Sequence, residues 1–248
     1  MITSLDLGAG DKVKKAKLPD AINDKIESII DAGIKFIKNP HIIVFNKLCR
    51  QRRNVAFYSD KSFGYFYSCT VAKANPLTPE LQELLAFVNA SMGADFNSIL
   101  INEYENGEDY ISPHSDDERA LSGGDAGVVS ISWGDTRRMK FATKDKADNC
   151  QLGTKCFVQV EPGCLLQMVG PTFQKRFTHA IPVEKGAGRR ISFTFRRHDP
   201  KLEEPMIAKL PAMEARISRL IDEKDATEAA AEAAAAAAQP AAKRAKIA

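Results

Sequence analysis

From Asn97 onward the chain breaks into short apolar runs, "SILINEY", "AGVVSISW", "RMKFAT", "CFVQV", "CLLQMV", "THAIPV" and "RRISFTFRR", separated by Gly, Asp and Pro. Runs of this length, bounded by turn residues, fit half-buried strands better than helices. Many such strands at near-regular spacing need a second layer to cover their apolar faces. They predict a β-sandwich or an open double-sheet barrel.

The last run carries the strongest constraint. A period of two puts Ile191, Phe193 and Phe195 on one face and Arg190, Ser192, Thr194 and Arg196 on the other. If the second face lines a barrel interior, its two guanidinium groups need anions, because an unpaired buried charge is very costly. A dicarboxylate would satisfy them.

The flanking segments read differently. The first 20 or so residues, rich in Gly, Lys and Asp, predict a loose lead-in, and 1–24 is taken as a flexible N-terminal segment. In "DAINDKIESIIDAGIKFI", Ile22, Ile26, Ile29, Ile30, Ile34 and Ile37 fall near helical spacing, with a break at Gly33. "PLTPELQELLAFVNASM" predicts a helix capped by Thr78, opened by Pro79 and Glu80, and striped by Leu81, Leu84, Leu85 and Val88. After a core over 96–200, residues 201–223 read as a C-terminal helix. The Ala-rich segment 224–248 lacks a core-forming stripe and reads as a disordered tail. Its end, "PAAKRAKIA", resembles a short nuclear import signal, which predicts the nucleus or otherwise the cytoplasm.

Charge is informative only in its distribution, since 35 Lys and Arg stand against 32 Asp and Glu. Lys47, Arg50, Arg52 and Arg53 cluster in "FNKLCRQRRN" without an acid, a run suited to phosphates or to a solvated face. Cys49, Cys69, Cys150, Cys156 and Cys164 show no CxxC spacing, which favours a reducing compartment. The sequence contains neither a membrane-spanning apolar run nor a signal-peptide core, so a soluble intracellular protein without membrane partners is expected.

Four histidines limit any metal site to an economical one. In "YISPHSDDE", His114 and Asp116 stand two apart, which on a strand directs both to one face; in a loop the same residues make an ordinary polar turn. His179, in "RFTHAIPV", would complete two histidines and one carboxylate, the facial set of non-haem Fe(II) oxygenases. A zinc hydrolase built on the same ligands would have no use for Arg190 and Arg196.

Taken together, His114, Asp116, His179 and "RISFTFR" resemble the HxD…H and closing RxNxTxR pattern of the AlkB-type Fe(II)/2-oxoglutarate dioxygenases, with Ser192 where that family usually has Asn. "INEY" is similar to the family's NxY contacts. The resemblance covers roughly residues 40–197 and implies an α+β fold with a double-stranded β-helix (jelly-roll, cupin-like) core, flanking helices and a nucleotide-recognition lid within 25–95. It implies that His114, Asp116 and His179 hold Fe(II) and serve as the catalytic centre, with 2-oxoglutarate and O2 as cosubstrates. Arg190 would clamp the distal carboxylate, Arg196 would serve the iron-side carboxylate or steady Asp116, and Asn102, Tyr104 and Thr194 would add hydrogen bonds.

The resemblance is nearest to the AlkB homologues that repair alkylated DNA. It implies an oxidative demethylase of N1-methyladenine and N3-methylcytosine, releasing succinate, CO2 and formaldehyde. Alkylated DNA, double-stranded by preference, is the expected partner of a monomer. RNA demethylation and a catalytically inactive nucleic-acid-binding module are the alternatives. "VFNKLCRQRRNVAFYSD" looks like the lid, with Phe45 as an apolar wedge for the gap left by a flipped base and Asn46 where a Gly is usual. Arg53 resembles a DNA-contacting arginine. Tyr65 and Tyr67 match base-pocket positions, and Asp117 and Glu118 would read the exocyclic amine of the damaged base.

Overall fold

The computed structural model describes residues 2–118, 120–121, 126–145 and 155–245, the side chains as far as 232 and at 234. The chain opens with a hairpin of β1 (Thr3–Gly8) and β2 (Asp11–Lys17), not with the loose segment expected from its composition. Its alternation buries Leu7 and Val13 and leaves the Lys-rich face outward. The lysines belong to β2, which pairs with β1 on one side and β13 on the other, so the segment read as loose is held in the large sheet by ladders on both sides. Asp11, fully buried, pins the hairpin by accepting from the Thr172 N–H at 3.1 Å, its hydroxyl at 2.7 Å and Arg176 Nη1 at 2.8 Å.

Helix α1 (Asp20–Asp31) ends before Gly33, whose φ of +93° is the break the sequence predicts. Four short strands and a longer one follow: β3 (His41–Val44), β4 (Lys47–Arg50), β5 (Asn54–Tyr58), β6 (Gly64–Tyr67) and β7 (Thr70–Lys73). Pairs β3–β4 and β6–β7 are separate two-stranded ribbons. Helix α2 (Pro79–Met92) starts where expected: Thr78 accepts from the Leu81 N–H, Pro79 occupies the first turn, and Leu81, Leu84, Leu85 and Val88 are buried.

The remaining strands are β8 (Ser98–Tyr104), β9 (Ile111–His114), β10 (Val128–Gly134), β11 (Arg137–Thr143), β12 (Lys155–Val160), β13 (Cys164–Val169), β14 (Phe177–Ile181) and β15 (Arg190–Arg196), with the single turn α3 (Phe173–Arg176) before β14. They form two layers. One sheet has the order β1-β2-β13-β10-β15-β8-β5 and the other β12-β11-β14-β9. Every pairing is antiparallel, the double-sheet arrangement of a jelly roll. The core is wider than 96–200, because β1, β2 and β5 complete the large sheet.

The pleat of β15 sorts its residues as predicted. Ile191, Phe193 and Phe195, all fully buried, join Ile131 and the α1 and α2 stripes in one apolar layer. The opposite face looks into the space between the sheets, where Met139, Phe141, Val160, Leu166 and Met168 form the second layer. The polar side chains of that inner face, Arg190, Ser192, Thr194 and Arg196, line a cavity between the sheets.

Beyond Asp199, which caps α4 (Pro200–Ile207), helix α5 runs from Leu210 to Ala245. The expected disordered tail from 224 is therefore helical to Ala245. The reason is propensity: Ala loses no side-chain entropy in a helix and needs no packing stripe to favour it. The side chains of the basic cluster "AKRAKIA" lie outside the described residues. Among the described residues no helix is long and apolar enough to cross a membrane.

Candidate active site

Strands β9 and β14 bring the three expected ligands together. His114 and His179 are direct partners in the ladder, with ring centroids 4.2 Å apart. The loop after β9 turns Asp116 back between them, and its N–H donates to Gln174 Oε1 at 2.9 Å. Asp116 Oδ1 lies 4.0 Å from His114 Nε2, and Oδ2 lies 3.7 Å from His179 Nε2. Ligand atoms of the three side chains all fall within 4.8 Å of one another.

Protonation favours metal binding. His114 Nδ1 is 2.9 Å from the Ser112 carbonyl, so the proton sits there and Nε2 presents a lone pair. Burial, together with the neighbouring His179, pushes the His114 pKa down to about 3, and burial lowers that of His179 too. Asp116 is held ionised below the usual carboxylate range: against the desolvation of its burial, the charge and hydrogen bond of Arg196 prevail. Its Oδ2 is buried with no hydrogen-bond partner. Two neutral imidazoles and one under-used carboxylate oxygen fit a divalent cation of borderline softness.

Arg196 donates to Asp116 Oδ1 and sits 5.3 Å from the Tyr65 ring. Of the two partners expected for it, the iron-side carboxylate of a cosubstrate and Asp116, the second is the one it contacts in this structure. Arg190 lies at the other end of the same strand face. It is 1% exposed, donates through Nη2 to Ser132 Oγ at 2.8 Å, and lies 5.3 Å from the Tyr104 ring. Burial lowers its pKa, offset by Tyr104. Arg190 Nε and Nη1 have no partner. A buried guanidinium with two unused donors at the end of a cavity fits a carboxylate taken bidentately.

The cavity between Arg190 and the His/Asp/His cluster is lined by Asn102, Tyr104, Ser130, Ser192 and Thr194, with Met139, Met168, Ile111 and Ile181 closing its sides. These positions follow from register, since Asn102 pairs Ser192, which pairs Ser132, and Tyr104 pairs Arg190. Ser192, the departure from the usual Asn, faces this cavity.

Sequence reasoning missed Arg137, fully buried at the start of β11. It donates to the carbonyls of Asp109 at 2.8 Å and Pro182 at 2.6 Å and lies 5.6 Å from Tyr104. Tyr104 is thus flanked by two guanidinium groups. The signal was available, because Arg137, Met139 and Phe141 share the inward parity of "RRMKFAT". Ser132 shares the inward parity of "VVSISWG" with Ser130, whereas Gln174 carried no comparable sequence signal.

Outside the cavity, Phe45 is 95% exposed at the tip of the β3–β4 turn. Tyr65 and Tyr67 stack with centroids 6.1 Å apart and planes 10° from parallel. The Tyr65 hydroxyl donates to Glu118 Oε1, and burial raises the pKa of both groups above their ordinary values. Arg53, expected to contact DNA, is only 4% exposed. From the bend just before β5 it donates to Asn102 Oδ1 at 2.9 Å and sits 5.7 Å from the Tyr67 ring. Asp117 points away from the pocket and pairs with Lys144 at 3.2 Å.

A jelly roll that holds two histidines and a carboxylate at one end of a cavity and an unsatisfied arginine at the other defines a metal- and anion-dependent oxygenase site. A profile of the 2OG-Fe(II) oxygenase superfamily matches residues 20–196, and the chain belongs to that family. Fe(II), 2-oxoglutarate and O2 are the cofactor and cosubstrates of such enzymes, and the residues present fit them. Within it, the chain is 33% identical over 157 residues to human "DNA oxidative demethylase ALKBH2", covering 62% of this chain and 59% of that protein. The mouse protein of that name is 33% identical over 179 residues, 70% of this chain and 74% of its own. Rat "Alpha-ketoglutarate-dependent dioxygenase alkB homolog 3" is 33% identical over 153 residues, 59% of this chain and 50% of that protein. These relatives make the chain an AlkB-type dioxygenase. The solved structure of OsALKBH1 shares the fold, with a TM-score of 0.52, 16% identity, and coverage of 79% of this chain and all of that one.

Proposed function

We propose that this protein is an oxidative demethylase of N1-methyladenine and N3-methylcytosine in DNA, with a preference for duplex. The names of its relatives support the reaction class, and the two-ended cavity between the His/Asp/His cluster and Arg190 carries the reading.

Bound iron and 2-oxoglutarate would supply the oxidation of an N-methyl carbon by O2, after which formaldehyde leaves. The chain's own residues do the rest. His114, Asp116 and His179 hold the metal, and Arg196 keeps Asp116 ionised and oriented. Arg190, supported by Ser132 and Tyr104, takes the distal carboxylate, while Asn102, Ser192 and Thr194 line its bed. Apolar Met139, Met168, Ile111 and Ile181 exclude water from the reacting centre.

Hairpins β3–β4 and β6–β7 serve as the nucleotide-recognition lid. The Tyr65–Tyr67 stack offers a flipped base a platform, and stacking of this kind is worth about 1–3 kcal/mol per base. Glu118, fixed by Tyr65, reads the exocyclic amine. Exposed Phe45 inserts where the base has left the duplex. A nuclear location and a monomer acting alone on the duplex fit this reading.

The test is a panel of single- and double-stranded DNA and RNA carrying either lesion, incubated with Fe(II) and 2-oxoglutarate and assayed for succinate and methyl loss. Turnover greatest on duplex DNA is expected. Turnover confined to RNA would overturn the DNA assignment, and none on any substrate would overturn the enzyme.

A further inference from the structure

Both proposed lid hairpins lie within the matched oxygenase region, which ends at residue 196. Helix α5 lies wholly beyond it and touches both. Leu210, Met213 and Ile217, at i, i+3 and i+7, face one groove walled by Tyr65, Tyr67 and Val71. At its rim Arg216 Nη2 donates to Asn46 Oδ1 at 2.8 Å, and Glu214 Oε1 stands 3.7 Å from Lys73 Nζ. One helix is therefore tied to the tip of the first hairpin and to the last strand of the second.

The tip needs a tie. Val44 pairs with Lys47, so Phe45 and Asn46 form a two-residue turn, with φ of +47° and +62°. Such primed turns favour Asn-Gly or Gly-Gly, and Phe adopts the left-handed region only at a cost. A turn that strains its own backbone relaxes unless neighbours hold it. Phe45 makes no such hold, being almost wholly exposed. Asn46 is the residue that α5 grips.

We propose that α5 is a clasp on the lid and that Arg216 is a positioning residue: by holding Asn46 it fixes the turn that presents Phe45 to duplex DNA. This rests on the duplex reading above. It makes the C-terminal helix a determinant of strand preference, acting through the finger and not through the cavity.

The test uses the full chain with Arg216→Ala, Asn46→Ala, the double variant and Arg216→Lys, measuring kcat and KM on duplex and single-stranded methylated DNA. The KM for duplex should rise about three- to tenfold in either single variant, as for loss of one solvent-exposed hydrogen bond. The double variant should be no worse, Lys should restore part of the loss, and kcat and the single-strand constants should not move. Additive losses would mean that Arg216 binds a phosphate instead, and equal losses on both substrates, or none, would equally overturn the clasp. If the unmodified protein turns over no duplex, the duplex reading fails by itself. Amide exchange over residues 44–47 then decides the clasp: faster exchange in Arg216→Ala supports it, and unchanged exchange overturns it.

Discussion

His114 and His179 stand directly opposite each other across the β9–β14 ladder, ring centroids 4.2 Å apart, although 65 positions separate them in the chain. Sheet pairing brings the two imidazoles together, and the short turn to Asp116 adds the carboxylate. The site is thus set by strand register, and a one-residue slip of β14 would send His179 to the opposite face.

Arg190 has two unused buried donors aimed at the cavity. Arg190→Lys keeps the charge but loses the planar fork. The KM for 2-oxoglutarate should rise roughly tenfold to a hundredfold, the range for a bidentate charged contact of about 1.5–3 kcal/mol. Steady-state kinetics against 2-oxoglutarate check this; an unchanged KM would remove Arg190 from the anion site.

Arg196 and Asp116 form a buried ion pair. Arg196→Met should leave Asp116 without its cation, lower Fe(II) affinity about 10- to 100-fold, and destabilise the fold by about 3–5 kcal/mol. Metal titration and urea unfolding read the two effects separately. Weaker Fe(II) binding with unchanged stability would contradict the pairing.

Phe45 is exposed, so Phe45→Ala should leave the thermal midpoint where it is. Turnover on duplex should fall more than on single strands. Equal losses on both would refute the wedge.

His198, Glu203 and Ser62 form a buried cluster that joins helix α4 to the loop between β5 and β6: His198 Nδ1 lies 3.1 Å from Glu203 Oε1 and 3.3 Å from Ser62 Oγ. Burial lowers the His198 pKa. A histidine whose folded pKa lies below its unfolded value of about 6.5 takes up a proton on unfolding. Its contribution is therefore present above about pH 6.5 and is lost as pH falls towards the folded pKa. Glu203, held low by His198 and Ser62 against its burial, acts in the same direction below about pH 4.3. Urea midpoints between pH 7.5 and 5 in the presence of chelator should fall, and His198→Gln should flatten part of that slope. An unaltered slope would contradict the account.

Much of the site was legible because period two is unambiguous in a strand buried on both faces. Arg190 and Arg196 on one side of β15 and Phe193 and Phe195 on the other follow from counting alone. Thr78 and Gly33 mark helix ends by local chemistry, and both do so in the structure. The failures lie where tertiary context decides. The N-terminal hairpin looked loose because its Gly, Lys and Asp composition does not show that β13 pairs with it, and the basic run around Arg53 gives no sign of which of its side chains turns inward. Arg53 turns inward because Asn102, 49 residues away, offers its amide oxygen. Arg137 obeyed the strand parity that revealed Arg190, but its partners are the backbone carbonyls of Asp109 and Pro182, which leave no mark in a sequence.

The central claim is tested most directly by formaldehyde released from a duplex bearing N1-methyladenine, measured against succinate in the same reaction, for the unmodified protein and for His114→Ala and Arg190→Met. One formaldehyde per succinate is predicted for the unmodified protein with Fe(II) and 2-oxoglutarate, falling to background in both variants. Formaldehyde release without 2-oxoglutarate, or undiminished in either variant, would contradict the account.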